Sequence, residues 1–398
     1  DSLVGPSAAP VDERRHRGAA VKNVETRVLP QASPGTRRSL TILRYGIAGS
    51  RPKAYLQAGL HADEAPGYPV LQALIEKLDG ASEQGAIIGE IVVVPAANPI
   101  GLSQWRDEML QGRFDFVNSI NFNRQHHDLI DRLIDTIGPE LGDHADQNVM
   151  VIRTCCGEII ADLQPEDEAA TLKQLLLSLS YDADIVLDLH CDLEALMHVY
   201  IGTPLWPDSE DLSAQMGAEA TLLAADSGGT PFDEANSRPW WVLAEKFPDH
   251  PIPPACLAAT VELRGISDTD PEMIERDSEN LFFFLQRRGL IQGTPAQPPA
   301  LINPATPLTG VDYVKATSAG IIVYLKKLGD RVKEDDTLAR NINPLPEDGA
   351  QKMVEVKSRT DGLLFSRNVD RFARPGKIIA KIARTEPLSD AEGDLLTL

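Results

Sequence analysis

At 398 residues the chain is too long for one ordinary domain, and two domains are the natural expectation. Hydrophobic residues make up 42% and charged residues 24%, enough for a large buried core, while no apolar run reaches the roughly 18 residues of a transmembrane helix. The formal net charge of −21 excludes nucleic acid and anionic membrane as expected partners, because both demand a basic surface.

Residues 1–37 read as an N-terminal arm, the first twenty or so without order and without the apolar core of a signal peptide. Residues 38–292 alternate strands with helices, the signature of an α/β domain. Residues 54–60 (AYLQAGL) predict a buried strand, and residues 67–78 a helix with apolar positions at Val70, Leu71, Leu74, Ile75 and Leu78. Residues 91–94 (IVVV) predict a second strand, 172–179 a helix, 185–189 (IVLDL) a third strand and 258–263 (AATVEL) a fourth. A helix over 271–288 opens on proline. Residues 293–309 are proline-rich and aperiodic, hence a linker, and residues 310–398 are short β-type runs punctuated by Gly and Asp, hence a small all-β module. Cys155, Cys156, Cys191 and Cys256 show no CxxC spacing, so neither a disulfide framework nor a thiolate zinc cluster is expected, which fits a cytoplasmic protein.

The residues that can carry chemistry sit next to the predicted strands. His61-Ala62-Asp63-Glu64 follows the first strand, and its HxxE spacing brings an imidazole and a carboxylate to one side of a tight turn, where both reach one metal ion. His190 ends the third strand, where open α/β sheets place their ligands, and completes the three protein ligands usual at a catalytic zinc. Asp188 or Asp192 can orient its ring. Glu262 stands in an apolar strand, a costly place for an unpaired carboxylate, and suits a general base. Asn123 and Arg124 offer a bidentate grip on a carboxylate, and either Arg106 or Arg113 can polarise a carbonyl.

In this order the segments resemble the zinc carboxypeptidase superfamily, most closely its succinylglutamate desuccinylase/aspartoacylase branch. The matching pieces are His61-Ala-Asp-Glu64, Asn98-Pro99-Ile100-Gly101, Asn123-Arg124, Asp188-Leu189-His190 and Thr260-Val261-Glu262-Leu263. The resemblance implies a mixed sheet of eight strands flanked by helices, and one Zn2+ per chain on His61, Glu64 and His190. It further implies Glu262 as activator of water, Arg106 (by its Trp-Arg context) as stabiliser of the oxyanion, and Asn123 with Arg124 as holders of the substrate carboxylate. The expected partner is a small N-acyl amino acid, and the expected reaction its deacylation. Two departures bear on the substrate: HADE stands where the branch commonly has HGNE, and Gln125-His126-His127 follows the NR pair where Phe-Pro is usual. His126 and His127 read as a polar turn, not as metal ligands.

The C-terminal module resembles a biotinyl or lipoyl-type domain through Gly329-Asp330-Arg331-Val332 and residues 374–379 (RPGKII), but its hairpin region 343–349 has no carrier lysine. It is therefore read as a module that shapes the pocket or a homo-oligomer contact. A metallocarboxypeptidase acting on short peptides and a non-catalytic protein binding a small anion are the alternatives.

Overall fold

A computed structural model describes residues 22–347, 351–387 and 395. The disordered arm expected over the first twenty residues lies outside them, as does part of the 343–349 hairpin.

A nine-stranded mixed sheet forms the main body. Its centre is four parallel strands, in the order Glu90–Val94, Lys53–Ala58, Ile185–Asp192 and Leu257–Gly265. The first, second and third carry almost nothing but buried side chains, as strands covered on both faces must. The helices Gly67–Glu83 and Pro271–Arg287 cover one face through Leu71, Leu74 and Phe284, and those at Ala145–Asp162, Glu168–Ser180 and Phe232–Lys246 the other through Ile152, Leu172 and Trp240. Ser39–Tyr45 and His198–Gly202 run antiparallel to the central strands they adjoin. No described helix is long and apolar enough to cross a membrane.

Both ends of the expected main domain need correction. Residues 22–37 are not wholly an arm: Asn23–Val28 pairs antiparallel with Ser39–Tyr45 as an edge strand. Four of its six residues are polar or charged and five are exposed, so no hydrophobic pattern announced it. The proline-rich stretch is likewise not only a linker, because Thr306–Pro307 pairs in parallel with Ala220–Ala224 as the opposite edge. Proline is tolerated there because an edge strand can leave one side of its ladder unpaired. With these two edge strands the sheet has nine strands, where eight were expected.

The C-terminal module folds as two small sheets, one containing Val311–Lys315, Ile378–Ala383 and Gly362–Arg367, the other containing Thr337–Ile342 and Met353–Lys357. It has its own core around Val314, Ile322, Leu338 and Ile382. A second apolar cluster joins it to the main sheet: Leu363, Phe365 and Val311 pack with Ala220 and Leu222. Glu194–Ala195 extends this contact by pairing with Gly362–Arg367. The module is thus seated on the end of the main sheet next to the His190 strand.

Candidate metal centre and active site

His61 and Glu64 lie on the turn just past the C-terminal end of the Lys53–Ala58 strand. The turn is held from behind by the Asn-Pro-Ile-Gly segment: buried Asn98 donates to Leu60 O at 2.8 Å and accepts from Gly101 N at 2.8 Å. Gly112 passes so close that a Cβ there would sit 2.2 Å from Asp63 N, so only glycine fits. In the neighbouring strand Asp188, His190 and Asp192 alternate onto one face. Glu262 is the register partner of His190 on the next parallel strand. Four sequence motifs therefore converge at the carboxyl ends of three adjacent strands.

His61, Glu64 and His190 form a buried cluster whose ligand atoms all lie within 4.8 Å of one another. Glu64 is central: its Oε1 is 2.9 Å from His61 Nδ1 and its Oε2 is 2.8 Å from His190 Nδ1. The outer ring nitrogens are taken up elsewhere, His61 Nε2 at 2.7 Å from Asn121 Oδ1 and His190 Nε2 at 2.9 Å from Asp188 Oδ2. Asn121 Oδ1 also accepts the Asn123 backbone N–H at 2.8 Å, which identifies it as the oxygen and requires His61 to carry its proton on Nε2. The inner Nδ1 lone pair of His61 then faces a carboxylate oxygen, two acceptors that only a cation between them can reconcile. A proton is a poor candidate, because burial and the Arg113 guanidinium lower His61 to about 4. His190 is held above its ordinary value: burial opposes its charge, but Asp188 and Glu64 outweigh that. Two imidazoles and a carboxylate, each histidine oriented by an outer oxygen, are a donor set suited to a divalent metal.

Asp188, not Asp192, is the orienting acid, and behind it Gln57 donates to Asp188 Oδ1 at 3.0 Å and Tyr55 to Gln57 at 2.7 Å. Asp192 instead accepts from Ser366 at 2.8 Å and pairs with Lys381, both from the C-terminal module. Burial would raise the Asp192 carboxyl, but Lys381 and His198 bring it down to about 2.

Glu262 shares a pocket of about 80 Å3 with His61, His190, Arg113, Asn123 and Arg124. Its Oε2 is buried without a hydrogen-bond partner. Burial and the Glu64 charge push it up to about 8, the environment of a group kept ready to exchange a proton.

Arg106 does not join them. Trp105–Arg106 and Met109–Leu110 close a tight hairpin over Asp107 and Glu108, both at positive φ, which turns Arg106 outward to 77% side-chain exposure with only Asp107 near it. The chain comes inward after Gly112, so Arg113 is the arginine at the site, donating to Glu64 Oε1 at 2.7 Å. His126 also departs from expectation: it is buried with its ring against Phe232, centroids 5.2 Å apart, rather than lying on a polar turn. Burial and the nearby Lys173 hold it well below its ordinary value.

Sequence reasoning missed Asn121, Asp233, Tyr200, Tyr313 and Lys381, all of which line the pocket or touch its ligands. Tyr313 and Lys381 reach the pocket from the C-terminal module, so that module forms one of its walls.

Comparison with known proteins shows what family and fold this chain resembles. In a crystal structure of a protein described as of the succinylglutamate desuccinylase/aspartoacylase family from Shewanella amazonensis SB2B, 26% of residues are identical, with 91% of this chain and 98% of that one covered and a TM-score of 0.78. A similarly described protein from Shewanella frigidimarina NCIMB 400 is 23% identical over 93% and 99% of the two chains, with a TM-score of 0.80. The ectoine utilization protein EutE (DoeB) of Ruegeria pomeroyi, in product-bound form, is 18% identical over 91% and 94%, with a TM-score of 0.62. No curated protein matches the chain in sequence. The model of the succinylglutamate desuccinylase/aspartoacylase catalytic domain matches residues 50–286, more than half of the chain. The chain belongs to the succinylglutamate desuccinylase/aspartoacylase family.

Proposed function

We propose that this protein is a zinc-dependent hydrolase that removes the acyl group from a small N-acyl amino acid. The observation that carries the proposal is the meeting, in one pocket, of a His61–Glu64–His190 donor set with a buried Glu262 carboxyl whose Oε2 has no hydrogen-bond partner. A zinc ion on His61, Glu64 and His190 would supply a Lewis acid for the acyl carbonyl and for a water molecule.

The remaining work falls to the chain's own residues. Arg124 takes the substrate carboxylate, with Asn123 held beside it by the Phe232 N–H at 2.8 Å. Arg113, fixed by Glu64, presents its free N–H groups to the carbonyl oxygen as charge develops there. Glu262 removes a proton from the attacking water as the oxygen–carbon bond forms. It then delivers that proton to the amide nitrogen as the carbon–nitrogen bond breaks, giving a carboxylate and a free amine. A divalent ion on the donor set would favour the ionised form of Glu262, which suits that carboxylate to act as a base near neutral pH. The small pocket, walled by Tyr313 and Lys381, favours a small amide over a peptide chain.

The test is turnover of a panel of N-acyl amino acids and dipeptides by zinc-loaded protein and by Glu262→Gln. Hydrolysis of N-acyl amino acids that is lost in the variant, with zinc retained, is the expected result. Preferred cleavage of dipeptides, or undiminished turnover by the variant, would overturn the proposal.

A further inference from the structure

Strand alternation assigns Thr260, Glu262 and Arg264 of the Leu257–Gly265 strand to one face, and the first two line the pocket accordingly. Side chains two apart on one face of a strand are roughly 7 Å from each other, within the span of an arginine. A regular strand would therefore offer the Arg264 guanidinium to the Glu262 carboxylate. The chain prevents this with a bulge. Glu262 pairs with His190 and Gly265 with Asp192, so this strand holds one residue more than its partner, and Arg264 in the bulge has a φ of +64°. A long side chain seldom adopts that left-handed conformation, which glycine takes freely.

The bulge moves Arg264 to the other face of the sheet. There both its terminal nitrogens meet the carboxylate of Asp277, which is fully buried on the Pro271–Arg287 helix. Asp277 shares the buried stripe of that helix with Leu281 and Phe284, and these cluster with Val261 and Leu263, the strand residues that point away from the pocket. Exposed Arg276 also approaches Asp277, at 3.6 Å, but Asp277 is the one ion-pair partner of Arg264 among the described residues. The two pocket-lining cations Arg113 and Lys381 are likewise engaged by other acids, Glu64 and Asp192.

We propose that Asp277 is a positioning residue: by holding Arg264 in a left-handed bulge on the far face of the sheet, it keeps a guanidinium from pairing with Glu262. This rests on the function proposed above. A carboxylate paired with arginine binds a proton weakly, so Glu262 in such a pair would be a poor base toward water near neutral pH.

Steady-state kinetics of zinc-loaded Asp277→Asn, which keeps the shape and removes the charge, tests the proposal. Its kcat should fall by roughly 10²-fold, the lower end of what a positioned acid–base group contributes, with KM and zinc content unchanged. Removing the guanidinium as well, in Asp277→Asn/Arg264→Gly, should restore most of kcat, whereas a pair that is merely structural predicts a double variant at least as impaired. Arg264→Gly alone frees no cation and should turn over near the wild-type rate. An unchanged kcat in Asp277→Asn, a double variant no faster than it, or a slow Arg264→Gly would overturn the proposal. Urea midpoints separate it from the reaction: the effects of Glu262→Gln and Arg264→Gly should add in the wild type and fail to add in the Asp277→Asn background. That non-additivity without hydrolysis of any N-acyl amino acid refutes the reaction and supports the role of Asp277. Hydrolysis with additive effects in both backgrounds refutes the role of Asp277.

Discussion

Replacing Glu262 with glutamine should damage the reaction and strengthen the metal-free fold at the same time. The carboxyl is pushed from 4.5 to about 8 by burial and by Glu64. A raised carboxyl value means that the folded state holds its proton more tightly, so folding carries no penalty below the unfolded value and a growing one as pH rises toward 8. Linkage puts that penalty at about 1 kcal/mol at pH 5, about 3 at pH 7 and about 4 at pH 8. Glutamine keeps the shape and never ionises, so Glu262→Gln should gain stability that grows by about 3 kcal/mol between pH 5 and pH 8. Urea midpoints of wild type and variant in excess chelator, at both pH values, measure it. Turnover of the zinc-loaded variant should fall by roughly 10²–10⁴-fold, the usual worth of a positioned acid–base group. A variant no more stable than wild type at pH 8, or a gain independent of pH, would refute this account of Glu262 even if activity were lost.

Arg113→Ala should lower kcat by roughly 10²-fold, as loss of an oxyanion donor does, whereas exposed Arg106→Ala should stay within about two-fold; steady-state kinetics of the pair decides which arginine serves the site. Asn121→Ala removes the acceptor that fixes the His61 tautomer and should weaken metal binding by roughly 10–100-fold, read by competition with a chelating dye. Lys381→Met should cost about 2–3 kcal/mol near neutral pH, because the Asp192 carboxyl is lowered from 3.8 to about 2 in the fold, largely by Lys381 against the opposing effect of burial. A depressed carboxyl contributes above the unfolded value and loses its contribution as pH falls toward 2, so the cost should shrink between pH 4 and pH 2. Adding Asp192→Asn should restore most of the loss, and strictly additive effects would argue against the pair.

The parts of this site that were legible in the sequence are those where chemistry conflicts with local pattern. His190 and Glu262 interrupt apolar strands, and His61 with Glu64 follows one directly, so each stands out against its surroundings. Asn98 was visible as part of a motif, but its role as a brace under the His61 turn needed coordinates. The unread parts are residues whose local setting is ordinary. Asp233 sits in the first turn of a helix, where acids are common. Lys381 lies in a strand that alternates in the usual way, and only the docking of the module turns it toward Asp192. Arg106 and Arg113 cannot be ranked by composition, because the hairpin at Asp107 and Glu108 decides which one faces inward. The edge strands at Asn23–Val28 and Thr306–Pro307 were hidden for a related reason, since edge positions accept polar residues and proline that central strands reject.

The most direct test of the account is the metal content of protein purified without added metal, beside His61→Ala. The donor set predicts about one zinc per chain in the wild type, and its loss in a variant that remains folded by circular dichroism. A folded wild type that takes up no divalent metal even when zinc is offered, or a His61→Ala variant that keeps it, would contradict the metal centre and the hydrolytic reading built on it.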